Sequence, residues 1–227
     1  MSIITDQPPY TSSRRGWTSG ERPHLGGSYP VGDGNTWMPD VWDGLRQRLR
    51  VSSNVGIESV IDIGCGFGHV VEWWLKQGVR CIGVEAWHDA IVNNKCREHV
   101  MIHDYADGPF IPSQEYDLAW SAEFVEHVHL DHVPNYMATF QCCRFAAITH
   151  AAVGQGGYHH VSCFDDSHFI RQFDKYGFDF DPTITEWMRS TDAWHAPWGR
   201  CSLMFFRRRA PARIFDKTPE NQPPPLA

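Results

Sequence analysis

From residue 39 onward, apolar positions along the chain alternate between two spacings. In PDVWDGLRQRLR (39–50), Val41, Leu45 and Leu49 stand four apart, which is one face of a helix, and Pro39 with Asp40 suits a helix start. SVIDIG (59–64) is a short apolar run ending in glycine, as expected of a parallel strand buried on both faces. The two signatures then repeat. Residues 67–77 read as a helix closed by Gly78, 79–85 as a second strand, 88–98 as a helix and 99–104 as a third strand. A strand over 116–121, a helix over 132–142 and a strand over 144–150 come next. Residues 165–178 read as a helix with acidic residues at its start and Gly177 near its end. Segments 183–189 and 200–208 read as two strands with no helix between them. This order predicts a mostly parallel α/β sheet that finishes in an antiparallel hairpin.

The ends lack such periods. Residues 1–37 are rich in Pro, Gly, Ser and Thr and read as an irregular arm. Within it, 25–37 is expected to be ordered because Tyr29 and Trp37 need burial, and the first 20 residues to be mobile. Residues 38–209 form one domain, and 210–227, with three consecutive prolines, read as a disordered tail.

Composition narrows the class. Apolar residues make up 42% of 227, ample for one core. Ten tryptophans and thirteen histidines favour an enzyme or ligand-binding domain over a solvated scaffold. A net charge of −7 argues against a nucleic-acid partner, which calls for a basic face. The seven cysteines, Cys65, Cys81, Cys96, Cys142, Cys143, Cys163 and Cys201, are odd in number and form no C-x-x-C. They read as reduced thiols of a cytoplasmic protein. No run is apolar enough for a signal peptide or a membrane span.

Candidate chemistry gathers at strand ends. Val60-Ile61-Asp62-Ile63-Gly64-Cys65-Gly66-Phe67-Gly68 sets a glycine-rich turn between a buried strand and a helix, at the edge of a parallel sheet where ligands bind. A dinucleotide fingerprint needs glycine at position 69, which is His69. G-x-G-x-G suits a ligand without a pyrophosphate, and Asp62 suits one carrying an amino group. Glu85 ends the second strand, where an acid accepts both ribose hydroxyls. Asp104 ends the third, where an acid accepts from an adenine amino group or caps a turn.

These motifs, with Y-D-L-A-W-S-A-E-F-V-E-H-V after them, resemble class I S-adenosylmethionine-dependent methyltransferases over roughly residues 39–208. The resemblance implies a Rossmann-like three-layer sandwich whose seven-stranded, mostly parallel sheet runs 3-2-1-4-5-7-6 with strand 7 antiparallel. It implies S-adenosylmethionine as cofactor. Gly64, Gly66 and Gly68 would pass under its methionine part, Glu85 would hold the ribose, and Asp104 with Tyr105 would flank the adenine. Ala122 or Ser121 would line the pocket by the sulfonium. Cys65 and Ala86 complete the candidate set, although Cys65 also reads as a space-filler of the turn. Trp87 reads equally as an adenine stack or as packing.

Glu123, Glu126 and His127 stand at i, i+3 and i+4, one face of a helical turn. Such a face can bind a divalent metal, or supply a general base; it can also merely shape the pocket. The E-x-x-E-H pattern is similar to that of metal-dependent O-methyltransferases acting on the ribose of small RNAs or on quinone-precursor phenols. That similarity implies a further histidine ligand after strand 5, where His159 and His160 come after flexible glycines. His127, His159 and His160 are therefore the candidate catalytic residues, and Glu123, Glu126, His127 and His160 the candidate metal ligands. His150 is placed with them at the strand ends. His69, His88, His99, His168 and His195 read as surface or helix-face residues, and His129 and His132 as exposed. Trp194 and Trp198 are candidate acceptor walls, and the stretch 25–37 a candidate cover. Arg207-Arg208-Arg209 reads as a solvated strand end.

The expected activity is O-methylation of a glycan or small-molecule hydroxyl. A metal-dependent RNA 2′-O-methyltransferase is the alternative, and a non-catalytic cofactor-binding protein the second. The last would show a degraded glycine turn or lack Glu85, and this chain has both features intact.

Overall fold

A computed structural model describes residues 16–27, 38–191 and 197–209. Chain order runs α1 (Pro39–Ser53), β1 (Ser59–Ile63), α2 (His69–Lys76), β2 (Arg80–Glu85), α3 (His88–Val92), β3 (Val100–Ile102), β4 (Tyr116–Ser121), α4 (Val133–Phe140), β5 (Cys143–Ile148), α5 (Asp166–Lys175), β6 (Phe178–Phe180), α6 (Pro182–Ser190), α7 (Pro197–Ser202) and β7 (Met204–Arg208). The seven strands lie in the order β3-β2-β1-β4-β5-β7-β6. The first five pair in parallel, and β7 runs antiparallel to both β5 and β6. The sheet matches the expected order and polarity.

Both sheet faces are buried, which explains the unbroken apolar runs. Val60, Leu118, Trp120, Phe145 and Phe205 face one layer with α1 and α2. Ile61, Ile63, Ala119, Ala146 and Phe206 face the other with α4 and α5. Trp42 of α1 is fully buried and meets the rings of Trp73, Trp74 and Trp120 with centroids 5.1 to 6.5 Å apart. Aromatic contacts of this kind add to the burial of their area.

Four sequence expectations fail locally. Segment 183–189 is helix α6, not a strand. Asp181 caps it by accepting from the Ile184 amide at 2.9 Å, Pro182 opens it, and Ile184 and Met188 bury one face. The strand paired with β7 is instead the three-residue β6, within and just beyond the end of the segment read as one helix to 178; Gly177, at φ +89°, separates α5 from it. A short helix, α7, also precedes β7. The helix expected over 88–98 is confined to α3, with a 3-10 turn at Arg97–His99.

Residues 16–20 of the stretch expected to be mobile are placed, with Trp17 bridged to Trp87. Residues 1–15, 28–37 (with Tyr29 and Trp37), 192–196 and 210–227 lie outside the described residues. All seven cysteines are free. Among the described residues no helix is long and apolar enough to cross a membrane.

Replacing Trp42 by alanine removes the centre of the tryptophan cluster, and is expected to cost about 3–5 kcal/mol in urea unfolding. A loss below about 1 kcal/mol would show that α1 is not integral to the core.

Candidate active site

The glycine turn leaves β1 at the carboxyl edge of the sheet. The amides of Gly64 and Cys65 donate to the Val84 carbonyl at 2.9 and 3.2 Å, tying the turn to β2. Gly64 has φ +75°, and a Cβ there would lie 2.7 Å from Cδ2 of Phe124. Only glycine meets both conditions without strain.

Glu85 organises the backbone on both sides of this turn. One of its carboxylate oxygens accepts from the Gly66 amide at 2.9 Å. The other accepts from the amides of Ala86 and Trp87 at 2.8 and 2.9 Å. Burial pushes the Glu85 carboxyl up, and the three amides oppose that rise. Asn94 holds the turn from the other side, donating to the Gly66 carbonyl at 2.7 Å and accepting from the Cys96 amide at 2.8 Å.

Below this turn opens a cavity of about 1250 Å³, larger than the roughly 300–1,000 Å³ of a pocket for one small ligand. Asp62, Gly64, Cys65, Gly66, Glu85 and Ala86 line one part, with Asp104, Tyr105 and Ala122 beyond them. Asp62 is 2% exposed and its Oδ2 has no hydrogen-bond partner. Burial and then the charge of Glu85 push its carboxyl well up.

Two members of the expected cofactor set do not line the cavity. Gly68 starts α2 and packs against Asn94. Ser121 is buried and donates to the Ile63 carbonyl at 3.0 Å, which fastens β4 to β1. Asp104 caps a 3-10 turn by accepting from the Ala106 amide, and also binds Arg22 and His24 of the arm. Burial opposes its ionisation, but the Ala106 amide, Arg22 and His24 outweigh that and hold the carboxyl below its usual range. Trp87 packs edge-on to Phe67 rather than lining the cavity.

The histidine and carboxylate cluster stands at the other end. Glu126, His127 and His160 each present one ligand atom, all within 4.8 Å of one another. Glu126 is fully buried, and neither carboxylate oxygen has a hydrogen-bond partner. Burial and then the Glu123 charge push its carboxyl well up. His127 Nδ1 is likewise buried without a partner. Burial and the charge of His160 lower the His127 imidazole to about 4. The two rings meet edge to face with centroids 4.9 Å apart. Gly157 makes room for this: a Cβ there would lie 2.2 Å from His160 Nε2.

Glu123 is not on a common helical face with Glu126 and His127. It turns through φ +53° before the 3-10 turn Val125–His127, and its carboxylate accepts from the Thr149 hydroxyl at 2.7 Å. His159 lines the cavity and approaches the His127 carbonyl with Nδ1 at 3.1 Å. His150 turns away from the cavity, joining Asp166 at 3.0 Å beneath the ring of Phe169. His69, expected at the surface, and His129 and His132 all line the cavity. His129 is exposed, as expected, and His132 is half-buried. Trp194 and His195, like the side chain of Trp198, lie outside the described residues.

The sequence reading missed Asn94, Arg22, His24 and Thr149. Their partners lie 26 to 82 residues away, so no local spacing announces them. Arg207, Arg208 and Arg209 are paired with Asp181, Glu115 and Asp174 at 2.6, 3.0 and 2.5 Å.

Residues 61–144 match the family described as a methyltransferase domain. The structure of the plantazolicin methyltransferase BpumL, in complex with a pentazolic desmethylPZN analog and SAH, superposes with a TM-score of 0.56 at 11% identity. The alignment covers 78% of this chain and 88% of that one. The plantazolicin methyltransferase BamL, with a triazolic desmethylPZN analog and SAH, gives 0.52 at 11% identity, covering 76% and 85%. No curated protein sequence matches the chain. The domain match spans residues 61–144, and the strand order and the glycine turn are those expected of the class I S-adenosylmethionine-dependent methyltransferase fold.

Removing the Glu85 carboxylate leaves three turn amides without their acceptor. Glu85→Ala is expected to weaken S-adenosylhomocysteine binding in calorimetry about tenfold or more. An unchanged affinity would refute the placement of the cofactor along this turn.

Proposed function

We propose that this chain is an S-adenosylmethionine-dependent methyltransferase and that it methylates an oxygen of a glycan or small-molecule hydroxyl. The observation that carries this reading is the Glu126–His127–His160 cluster, in which His127 and His160 line the cavity and Glu126 is buried beside them. An alcohol holds its proton tightly, so oxygen methylation requires a base or a cation where the acceptor sits, whereas an amine can lose its proton to water.

The residues fit the cofactor. Asp62 offers a buried, unpartnered oxygen to an amino group, and Glu85 stands where ribose hydroxyls are accepted. When bound, S-adenosylmethionine supplies an electrophilic methyl group on a sulfonium. The chain's part is to hold the acceptor near it and to exclude water. Ala122 and Phe124 wall the cavity between the glycine turn and the cluster. His127, kept neutral by burial, orients the hydroxyl as a hydrogen-bond acceptor. His160 takes up the proton.

One observation favours a second reading of the cluster, as the seat of a divalent cation. Two unpartnered carboxylate oxygens and an unpartnered imidazole nitrogen are buried together, and buried polar atoms normally have partners. Glu126, His127 and His160 would be its ligands, and a cation there would lower the pKa of an acceptor hydroxyl. Glu123 is held by Thr149, and its charge bears on Glu126 from beside this group.

The charge pattern supports a small acceptor over RNA. The chain carries −7 overall, and each arginine of the 207–209 run has an acidic partner.

A labelled-methyl screen over sugars, small hydroxylated metabolites and RNA is expected to label the first two classes; labelling confined to RNA would overturn the proposed acceptor. His160→Ala and Glu126→Gln are each expected to lower turnover about tenfold or more while cofactor affinity stays within about twofold. The cation reading further expects EDTA to abolish turnover and Mg²⁺ or Mn²⁺ to restore it. Full activity in EDTA would leave the cluster with the base role alone.

A further inference from the structure

Part of the N-terminal arm lies across the cavity, fastened at three places. Its root is a parallel bridge: the Trp17 amide donates to the Ala86 carbonyl at 3.0 Å, and the His88 amide to the Trp17 carbonyl at 2.9 Å. A reciprocal turn comes next. The amide and hydroxyl of Thr18 donate to the Glu21 carboxylate at 2.7 and 2.9 Å, and the Glu21 amide returns a bond to the Thr18 hydroxyl at 3.3 Å. This is the geometry of a capping box, and it aims Arg22 inward.

The Arg22 guanidinium lies 3.9 Å over the Trp17 ring. It binds Asp104 and reaches Asp107 at 2.8 Å. Residues 23–27 then form one wall of the cavity. At its far end the Tyr158 hydroxyl donates to the Pro23 carbonyl at 2.8 Å, with the Leu25 carbonyl at 3.2 Å. Gly27 lies against His127 and Tyr158. One short stretch thus spans from the adenine-end acid to the acceptor-end histidine.

We propose that residues 16–27 are a lid over the cofactor, and that Arg22 is the positioning residue that latches it shut on Asp104 and Asp107. The inference rests on the cofactor reading under Proposed function. Asp104 then serves the lid, since Arg22, His24 and the Ala106 amide already draw on its carboxylate. It is only 4% exposed. Removing one partner of a buried ion pair leaves the other uncompensated, so loss of Arg22 destabilises the closed lid in particular. Cofactor exit requires the latch to part first.

The test is stopped-flow release of S-adenosylhomocysteine from the full chain, joined to hydrogen exchange of the arm amides. Arg22→Ala is expected to speed release about tenfold or more and to raise KM for S-adenosylmethionine more than it lowers kcat. It should also abolish the protection that the ligand gives the amides of residues 17–25. Arg22→Lys, which keeps the charge, should recover part of the slow release, and Asp107→Asn should show a smaller effect than Arg22→Ala. Release from the wild type should quicken with salt, and release from Arg22→Ala should not. If the wild type binds S-adenosylhomocysteine and Arg22→Ala releases it at the same rate, the latch is wrong and the cofactor reading stands. If the wild type binds none, the cofactor reading itself fails, and the latch with it.

Discussion

A single half-buried carboxylate sets the shape of the glycine-turn edge of the sheet. Glu85 accepts from three backbone amides that belong to two different loops, Gly66 in the turn after β1 and Ala86 and Trp87 after β2. Neither loop has a regular hydrogen-bonding partner there, and unpaired buried amides are costly. By taking all three, Glu85 fixes the distance between the two loops. The start of α2, the aim of Asp62 and the course of the Asn94 segment depend on that distance. The arm depends on it as well, since Trp17 hangs from the carbonyl of Ala86, one residue beyond Glu85. The loop is shaped before any ligand arrives, so ordering it does not oppose binding.

The rest of the polar interior divides into groups that are satisfied and groups that are not. Asp117 takes the amides of Glu58 and Ser59 with the Ser59 hydroxyl, Asp181 caps α6 and binds Arg207, and Ser121 closes on Ile63. These lie away from the cavity and hold the fold. Asp62, Glu126 and His127 each keep a buried atom without a partner; Asp62 and His127 line the cavity, and Glu126 is buried beside His127. Burial drives the two carboxyls towards the neutral form and the imidazole in the same direction. In those neutral forms the site avoids isolated charge, and a cationic or hydroxylic ligand supplies what each atom lacks.

Parallel strands put chemistry at their carboxyl ends, which is why Gly64, Glu85, Asp104 and the segment after β4 were legible in order along the chain. The fold was legible for the same reason, because buried strands and amphipathic helices differ in period. Legibility failed where a neighbouring cap, a left-handed residue or a tertiary contact overrode the apparent pattern. Thr183 to Arg189 carries β-branched residues that suit a strand, but Asp181 and Pro182 start a helix before them. Glu123 looked collinear with Glu126 only under helical geometry, and the chain leaves β4 through a left-handed residue instead. His150 sits beside the active-site loop in sequence, yet its ring is drawn to Asp166. Sequence position placed these residues near the site, and side-chain direction decided which entered it.

The arm shows the limit most clearly. Arg22 and Asp104 are 82 residues apart, and Tyr158 and Pro23 are 135 apart, so each contact closes a long loop whose entropy must be offset by the contact itself. A lone surface ion pair offsets little. Here the cost is shared. The Trp17 bridge fixes one end, the capping turn pre-aims Arg22, and Asp104 is already ordered by its own turn. Tyr158 then holds the carbonyls of Pro23 and Leu25. Because Gly26 and Gly27 have no side chains, the backbone itself lies against Tyr158 and His127. The same strip of chain is therefore tied to Asp104 and to the loop that carries His159 and His160. A shift at one end moves the wall at the other, so the two ends of the cavity are joined through residues 22–27.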